Sequence, residues 1–395
     1  MTHPILAAAQ KAYPPAVRLR RDIHRRPELS GREFGTAARV RRELLAMGLA
    51  PKFCCKKTGV AASLNNGRGK TVVLRADMDA LPITEKTGLA FSSVNTGVMH
   101  ACGHDMHTAI LAGAAHALRT LRDRWKGTVV FLFQPSEESA PGGAAAMIRE
   151  GVFPARADAV FGLHVNPEHA CGIVGLKSGP DYAGVADFDV VVKGRGGHGA
   201  MPEKAIDPIV CACEMIAALA HLAKRESSPR NPCIITVGKI NAGTKYNIIP
   251  DTACFGGTMR DLSEKHLSLL MRRAKRLMGS IAARHKTRVS VSFDKSYPPG
   301  YNDPALARRA FRALSQTLGS SKVTWRSKPV MLAEDFSCFQ KKAPGVYFHL
   351  GVKPKEKKSV PGIHTPYFSP DKRAILTGIK VHTAMVMEML GNEGD

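Results

Sequence analysis

The chain has 395 residues, enough for two or three domains at roughly 150 residues each, and 44% apolar with 23% charged residues excludes a collagenous or disordered chain. Its net charge of +24 raises the question of a nucleic-acid partner. Residues 181–295 carry 18 basic and 11 acidic residues, the same density of excess charge as the remainder, so no segment forms a dedicated binding arm and none is expected to hold nucleic acid. The only apolar run near the start, Ile5 to Ala9, is far shorter than a signal core of ~7–15 residues or a span of ~20. Neither secretion nor membrane insertion is expected. Nine scattered cysteines, an odd number, fit a reducing cytoplasm.

Residues 71–83, TVVLRADMDALPI, begin as a buried strand and end in polar residues before Pro82. This form suits a strand that delivers side chains to a site at its carboxyl end. GTVVFLFQPSEE (127–138), DAVFGLHV (158–165) and GVYFHLG (345–351) repeat it. The small-residue helix TAILAGAAHALRTL (108–121) and a second at 142–151 lie between these strands, and such alternation implies an α/β sandwich.

From Asp181 the pattern changes to strand 185–194, helix 207–225, strands 233–240 and 253–260, helix 263–286 and strand 288–297. That is a split βαβ unit of four strands and two helices. After Pro298 and Pro299 the α/β character returns and closes in a long apolar-striped helix, 371–390. The expected architecture is therefore a discontinuous α/β/α domain with a mostly parallel sheet, residues 1–180 and 296–395. An α+β domain, 181–295, is inserted in it.

In MHACGHDMHTA, Cys102 and His104 bracket Gly103 just before a helix, and a thiolate and an imidazole so close can share one metal or bridge two. His100 and His107 nearby read equally well as capping or packing residues. In QPSEE, Glu137 and Glu138 follow a buried strand. Adjacent carboxylates there point in different directions, so one can bind a metal while the other faces its water as a general base. His164 ends another buried strand, and His364 lies in PGIHTPYF before the last helix. Each residue alone is as readily structural; their joint occurrence where strands end is the signal.

The strings RADMDALP, HACGHDMHTA, FQPSEE, GLHV, GGHGAMPEKAIDP, YNIIPD, GTMR and AEDFSCF run in this order over nearly the whole chain. The sequence resembles the amidohydrolase branch of the aminoacylase and carboxypeptidase metallopeptidase superfamily, which includes hippurate hydrolases, indoleacetyl-amino-acid hydrolases and N-acyl-amino-acid deacylases. The resemblance implies two divalent metal ions bridged by Cys102, with His104, Glu138, His164 and His364 as the other ligands and Glu137 as general base. Zn is favoured on ligand type, and Mn, Co and Ni are also compatible. Other branches carry His-x-Asp where this chain has Arg75-Ala76-Asp77, so one ligand is absent and His104 supplies the contact. Asp77 is placed behind the ligands, orienting one of them or the base, with Asp79 as the alternative.

The resemblance also implies that the inserted domain is a lid and dimerisation domain. There His198 and Asn247 reach substrate, of the partner subunit or on closure, and Arg260 holds the substrate's α-carboxylate. The implied reaction is metal-dependent hydrolysis of N-acyl amino acids by a cytoplasmic homodimer or higher homo-oligomer. Rival readings are an exopeptidase or dipeptidase, a nucleic-acid binder using Arg272, Arg273, Lys275 and Arg276, and a silent scaffold.

Overall fold

The computed structural model describes residues 4–229, 231–356 and 358–391. Two compact units divide the chain: Met1–Gly179 with Tyr301–Lys328 and Asp335–Asp395, and Pro180–Gly300 with Pro329–Glu334.

The first unit is built on strands β1 (Lys52–Cys54), β2 (Gly59–Asn66), β3 (Thr71–Asp77), β4 (Gly127–Gln134), β5 (Ala159–Ala170) and β6 (Val174–Leu176), later joined by β15 (Val323–Trp325) and β16 (Gly345–Lys353). Their order is β1-β2-β4-β3-β5-β16-β6-β15. The central strands β4, β3, β5 and β16 run parallel, and antiparallel pairing enters at β1–β2, β2–β4 and β16–β6. Buried on both faces, the central strands need near-continuous apolar sequence, and the runs Val72–Leu74 and Phe131–Phe133 are fully buried. This is the α/β sheet expected from the alternation of strands and helices.

The helices around this sheet are α1 (Pro4–Arg25), α2 (Phe34–Ala46), α3 (His104–Thr120), α4 (Gly143–Arg149), α7 (Pro304–Leu318), α8 (Phe336–Gln340) and α9 (Ala374–Leu390). Helix α3 starts four residues before the predicted helix, so the whole HDMH segment is helical and buried. Its start is set by Gly103, whose φ of 93° is a left-handed conformation, and a Cβ there would lie 2.6 Å from Val165 Cγ2. Helix α1 carries Pro14 and Pro15 inside it. Its apolar face is regular all the same: Ile5, Ala8, Ala12, Ala16, Leu19 and Ile23 are buried at helical spacing.

Short strands β7 (Gly179–Tyr182) and β14 (Gly300–Asn302) lie where the chain passes between the units. The second unit contains β8 (Gly184–Lys193), β9 (Gly197–His198), α5 (Pro208–Glu226), β10 (Cys233–Ala242), β11 (Ile248–Ile249), β12 (Thr252–Asp261), α6 (Glu264–Arg284) and β13 (Arg288–Tyr297). Four of these strands form an antiparallel sheet in the order β10-β12-β8-β13, with α5 and α6 packed on it around Phe188, Val190, Phe255, Leu270 and Met278. The cue for α5 is Asp207-Pro208: Asp207 accepts the Ile209 amide at 2.7 Å, and Pro208 occupies the first turn. Strand β13 continues past residue 295, and residues 329–334 return to this unit with Ala183 N donating to Leu332 O at 2.9 Å.

Candidate metal centre

Five donors converge, four buried or half-buried and His364 exposed: Cys102 and His104 at the start of α3, Glu138 just after β4, His164 midway along β5 and His364 in the loop before α9. Cys102 Sγ lies 3.3 Å from His164 Nε2 and 3.3 Å from His364 Nε2. His364 Nε2 is 3.1 Å from Glu138 Oε1, which is 4.0 Å from His104 Nε2. Two triads result, Cys102–His104–His164 and Cys102–Glu138–His364, each with donor atoms within 4.8 Å of one another, and Cys102 is common to both. Glu137 is buried and forms a third group with His104 and Glu138.

The free lone pairs face inward. His164 Nδ1 donates to Val165 O at 2.8 Å, which leaves Nε2 as the acceptor nitrogen. His104 Nδ1 bonds Asp79 Oδ1 at 3.1 Å, while its buried Nε2 and the buried Glu138 Oε1 make no hydrogen bond. Orphaned buried polar atoms in a protein interior call for a partner. Here they are a nitrogen and a carboxylate oxygen aimed at the same point beside a sulfur, a donor set that fits divalent cations. Burial first, then the charges of Glu138, Glu137 and Asp77, push the Cys102 thiol well above its ordinary value. A divalent cation reverses that preference by stabilising the thiolate.

Asp77 and Asp79 both stand behind the donors, with different partners. Asp77 ends β3 on the same face as Arg75, whose Nη1 claims Oδ2 at 2.6 Å, and His107 Nδ1 claims Oδ1 at 2.6 Å. Asp77 is therefore engaged on both oxygens and stands 3.8 Å from His104 Nε2. Burial works against its charge, yet His104, Arg75 and His107 together hold its pKa well below the carboxylate range. Asp79, beyond the strand end, makes the bond to His104, and its other oxygen accepts the Glu138 amide at 2.9 Å and Ser30 Oγ at 2.7 Å. One carboxylate thus aligns residues from both triads.

Sequence reasoning missed three supports. His107 Nε2 accepts the Val165 amide at 3.0 Å, so its proton sits on Nδ1 and points at Asp77. Glu33 accepts the amides of Gly31 at 3.0 Å and Ser136 at 2.8 Å, holding the turn before Glu137 where Ser136 has φ 55°. Arg75 occupies the place of the absent ligand and bonds Gln134 and Asp335, each at 2.8 Å, in addition to Asp77. The AEDFSCF string was the available signal for Asp335; nothing local marked Glu33.

The second unit brings together His198 and Asn247 on a separate two-stranded ribbon. His198 pairs with Ile248, and Gly199 N donates to Asn247 O at 2.8 Å. Both side chains are exposed. Arg260 lies on β12, half-buried, with Nη1 donating to Met331 O at 3.0 Å.

An α/β fold with a mostly parallel sheet, a second α+β unit and paired ligand triads at the strand ends defines a metallohydrolase architecture. The chain belongs to peptidase family M20/M25/M40, whose model matches residues 73–388, and it is a hydrolase of that family. It is 37% identical to the IAA-amino acid hydrolase ILR1-like 4 of Arabidopsis thaliana, over 95% of this chain and 85% of that protein. It is also 37% identical to thermostable carboxypeptidase 1 of Saccharolobus solfataricus, over 94% of both. Among solved structures, the Bacillus subtilis YXEP protein, a dinuclear metal binding peptidase from the M20 family, superposes with a TM-score of 0.84. It is 31% identical, covering 96% of this chain and 99% of that one.

Proposed function

We propose that the protein hydrolyses the amide bond of N-acyl amino acids, releasing a carboxylic acid and a free amino acid. The observation that carries this reading is the pair of donor triads sharing Cys102 Sγ, with the buried Glu137 carboxyl beside them. Cys102, His104, Glu138, His164 and His364 would hold two divalent ions, Zn on the softness of the donors. Bound there, the ions would supply Lewis acidity and lower the pKa of water to about 7. Glu137 takes the proton of the attacking water and returns it to the leaving nitrogen. Asp79 keeps His104 Nε2 and the Glu138 backbone in place while the charge changes. Arg260 is the group for the substrate's α-carboxylate, with His198 and Asn247 as further substrate contacts of the second unit.

Glu137→Gln is expected to retain both ions and lose turnover by about 100-fold or more. A variant with over about a tenth of wild-type activity is incompatible with Glu137 as the base. The substrate class is tested by amino-acid release from N-acetyl, N-benzoyl and N-indoleacetyl amino acids and from dipeptides, after chelation and restoration of Zn, Mn, Co or Ni. The Saccharolobus relative favours a second reading, a metallo-exopeptidase. Turnover of dipeptides alone would select it.

We propose a homodimer, the state in which His198 serves a neighbouring subunit. Mixing Glu137→Gln with His198→Ala subunits then restores activity, and absence of restoration after verified exchange removes that role. The cytoplasm is the proposed compartment, supported by a thiol among the donors and by nine unpaired cysteines. No helix among the described residues is long and apolar enough to cross a membrane.

A further inference from the structure

Cys54 and Cys55 are consecutive at the end of β1, and Cys55, Lys56 and Lys57 all take left-handed backbone, with φ of 50°, 55° and 74°. None is glycine. Consecutive L-residues rarely adopt this conformation, and where a fold holds it the strain points to a use. The turn is tied down: Cys55 N donates to Glu150 Oε2 at 2.7 Å, and Cys55 O accepts Thr58 Oγ1 at 2.6 Å. Cys54 is buried and Cys55 half-buried. The Cys54 thiol donates to Cys55, and this bond, followed by burial and the charges of Cys55 and Glu150, pushes its pKa far above the ordinary thiol value. Cys55 is the more accessible of the two residues, and Cys54 is its buried neighbour.

Cys54 also bears on the catalytic turn. Its strand pairing sets it opposite Gly59. A Cβ on Gly59 would lie 2.7 Å from Cys54 Sγ and 3.1 Å from Pro135 Cδ, so the sulfur and the proline ring both stand over the bare face of this glycine. Pro135 opens the turn in which Ser136 precedes Glu137.

We propose that Cys54 and Cys55 form a peroxide-sensitive dithiol whose closure to a vicinal disulfide disturbs the turn carrying Glu137. The Cys55 thiolate attacks one peroxide oxygen, breaks the O–O bond and becomes a sulfenic acid. The released hydroxide takes up the proton that Cys55 lost. Cys54 sulfur then displaces the sulfenic oxygen as water, so two thiols and one hydrogen peroxide become one disulfide and two waters. Neighbouring Cα atoms are about 3.8 Å apart, closer than the ~4.4–6.8 Å of ordinary disulfides, so the ring is strained and readily reduced. Closure draws Cys54 Sγ away from Gly59 and loosens the support behind Pro135.

The test treats metal-loaded enzyme with hydrogen peroxide, alkylates the remaining thiols and weighs the peptide spanning 53–57. The expected peptide lacks two hydrogens and carries no alkyl group, while the Cys102 peptide is alkylated. Turnover falls severalfold, returns with dithiothreitol, and does not respond to peroxide in Cys55→Ser or Cys54→Ser. Alkylation of both thiols, arrest of Cys55 at sulfinic acid, or a disulfide without change in turnover overturns the proposal. The turnover arm rests on the role of Glu137; the mass arm needs neither activity nor a variant, so failure of one reading is distinguishable from failure of the other.

Discussion

Asp79 illustrates how a single carboxylate can align two candidate donor groups at once. Its two oxygens reach His104 Nδ1 and the Glu138 amide, so removing its charge loosens one donor in each triad. Partners of this kind behind metal ligands are worth about 10–100-fold in affinity. Asp79→Asn is accordingly expected to weaken divalent-ion binding by that factor in competition with a chromogenic chelator, with most turnover recovered at saturating metal. Unchanged affinity would place the orienting force elsewhere. Asp77 differs in its partners: Arg75 and His107 occupy its two oxygens, which joins β3 to α3.

At the scale of elements, α1 is fastened to the start of α3 by a buried polar cluster. Arg20 Nε and His24 Nδ1 each lie 2.9 Å from Asp105 Oδ2, and His24 Nε2 is 3.2 Å from Glu85 Oε1. Asp105 is the neighbour of His104, so this tie fixes where the helix bearing that donor begins. Burial opposes a charged His24, and so does Arg20, but Asp105 and Glu85 prevail and raise its pKa from 6.5 to about 9. A folded-state pKa above the unfolded value stabilises the fold fully below pH 6.5 and ceases to do so as pH rises through 9. The contribution is on the order of 3 kcal/mol. The urea midpoint of the wild type should therefore fall between pH 6.5 and pH 9, and that of His24→Gln should start lower and fall less. Parallel pH profiles for the two proteins would contradict this account.

At the scale of the molecule, each unit has its own apolar core, and every metal donor lies in the first. Ligands that bind only the folded state stabilise it by about 2.7 kcal/mol at a hundredfold excess over Kd. Scanning calorimetry is thus expected to show two transitions, of which chelation lowers one by about 5–10 °C and leaves the other in place. A single transition moving as a whole would mean that the units unfold together. Within the second unit Arg273 pairs with Glu226 and Arg284 with Glu214.

The donor types, their places at strand ends and the alternation of strands and helices were legible in the sequence, because ligand chemistry and hydrophobic periodicity are local properties. Cys102 and His104 precede or open the run that became α3, Glu138 follows the run that became β4 and His164 lies in the run that became β5, while His364 sits in the loop before α9. Helix α1 carries Pro14 and Pro15 within a pattern that packing nonetheless completes. The bond of Asp79 to His104, the tautomer of His107 and the hold of Glu33 on Ser136 depend on groups 25 to 103 residues apart meeting in a dry interior. No local pattern records such meetings. The sequence by itself determined which atoms could bind metal; only the tertiary structure decided which of their neighbours hold them in place, since that follows from packing segments distant in the chain.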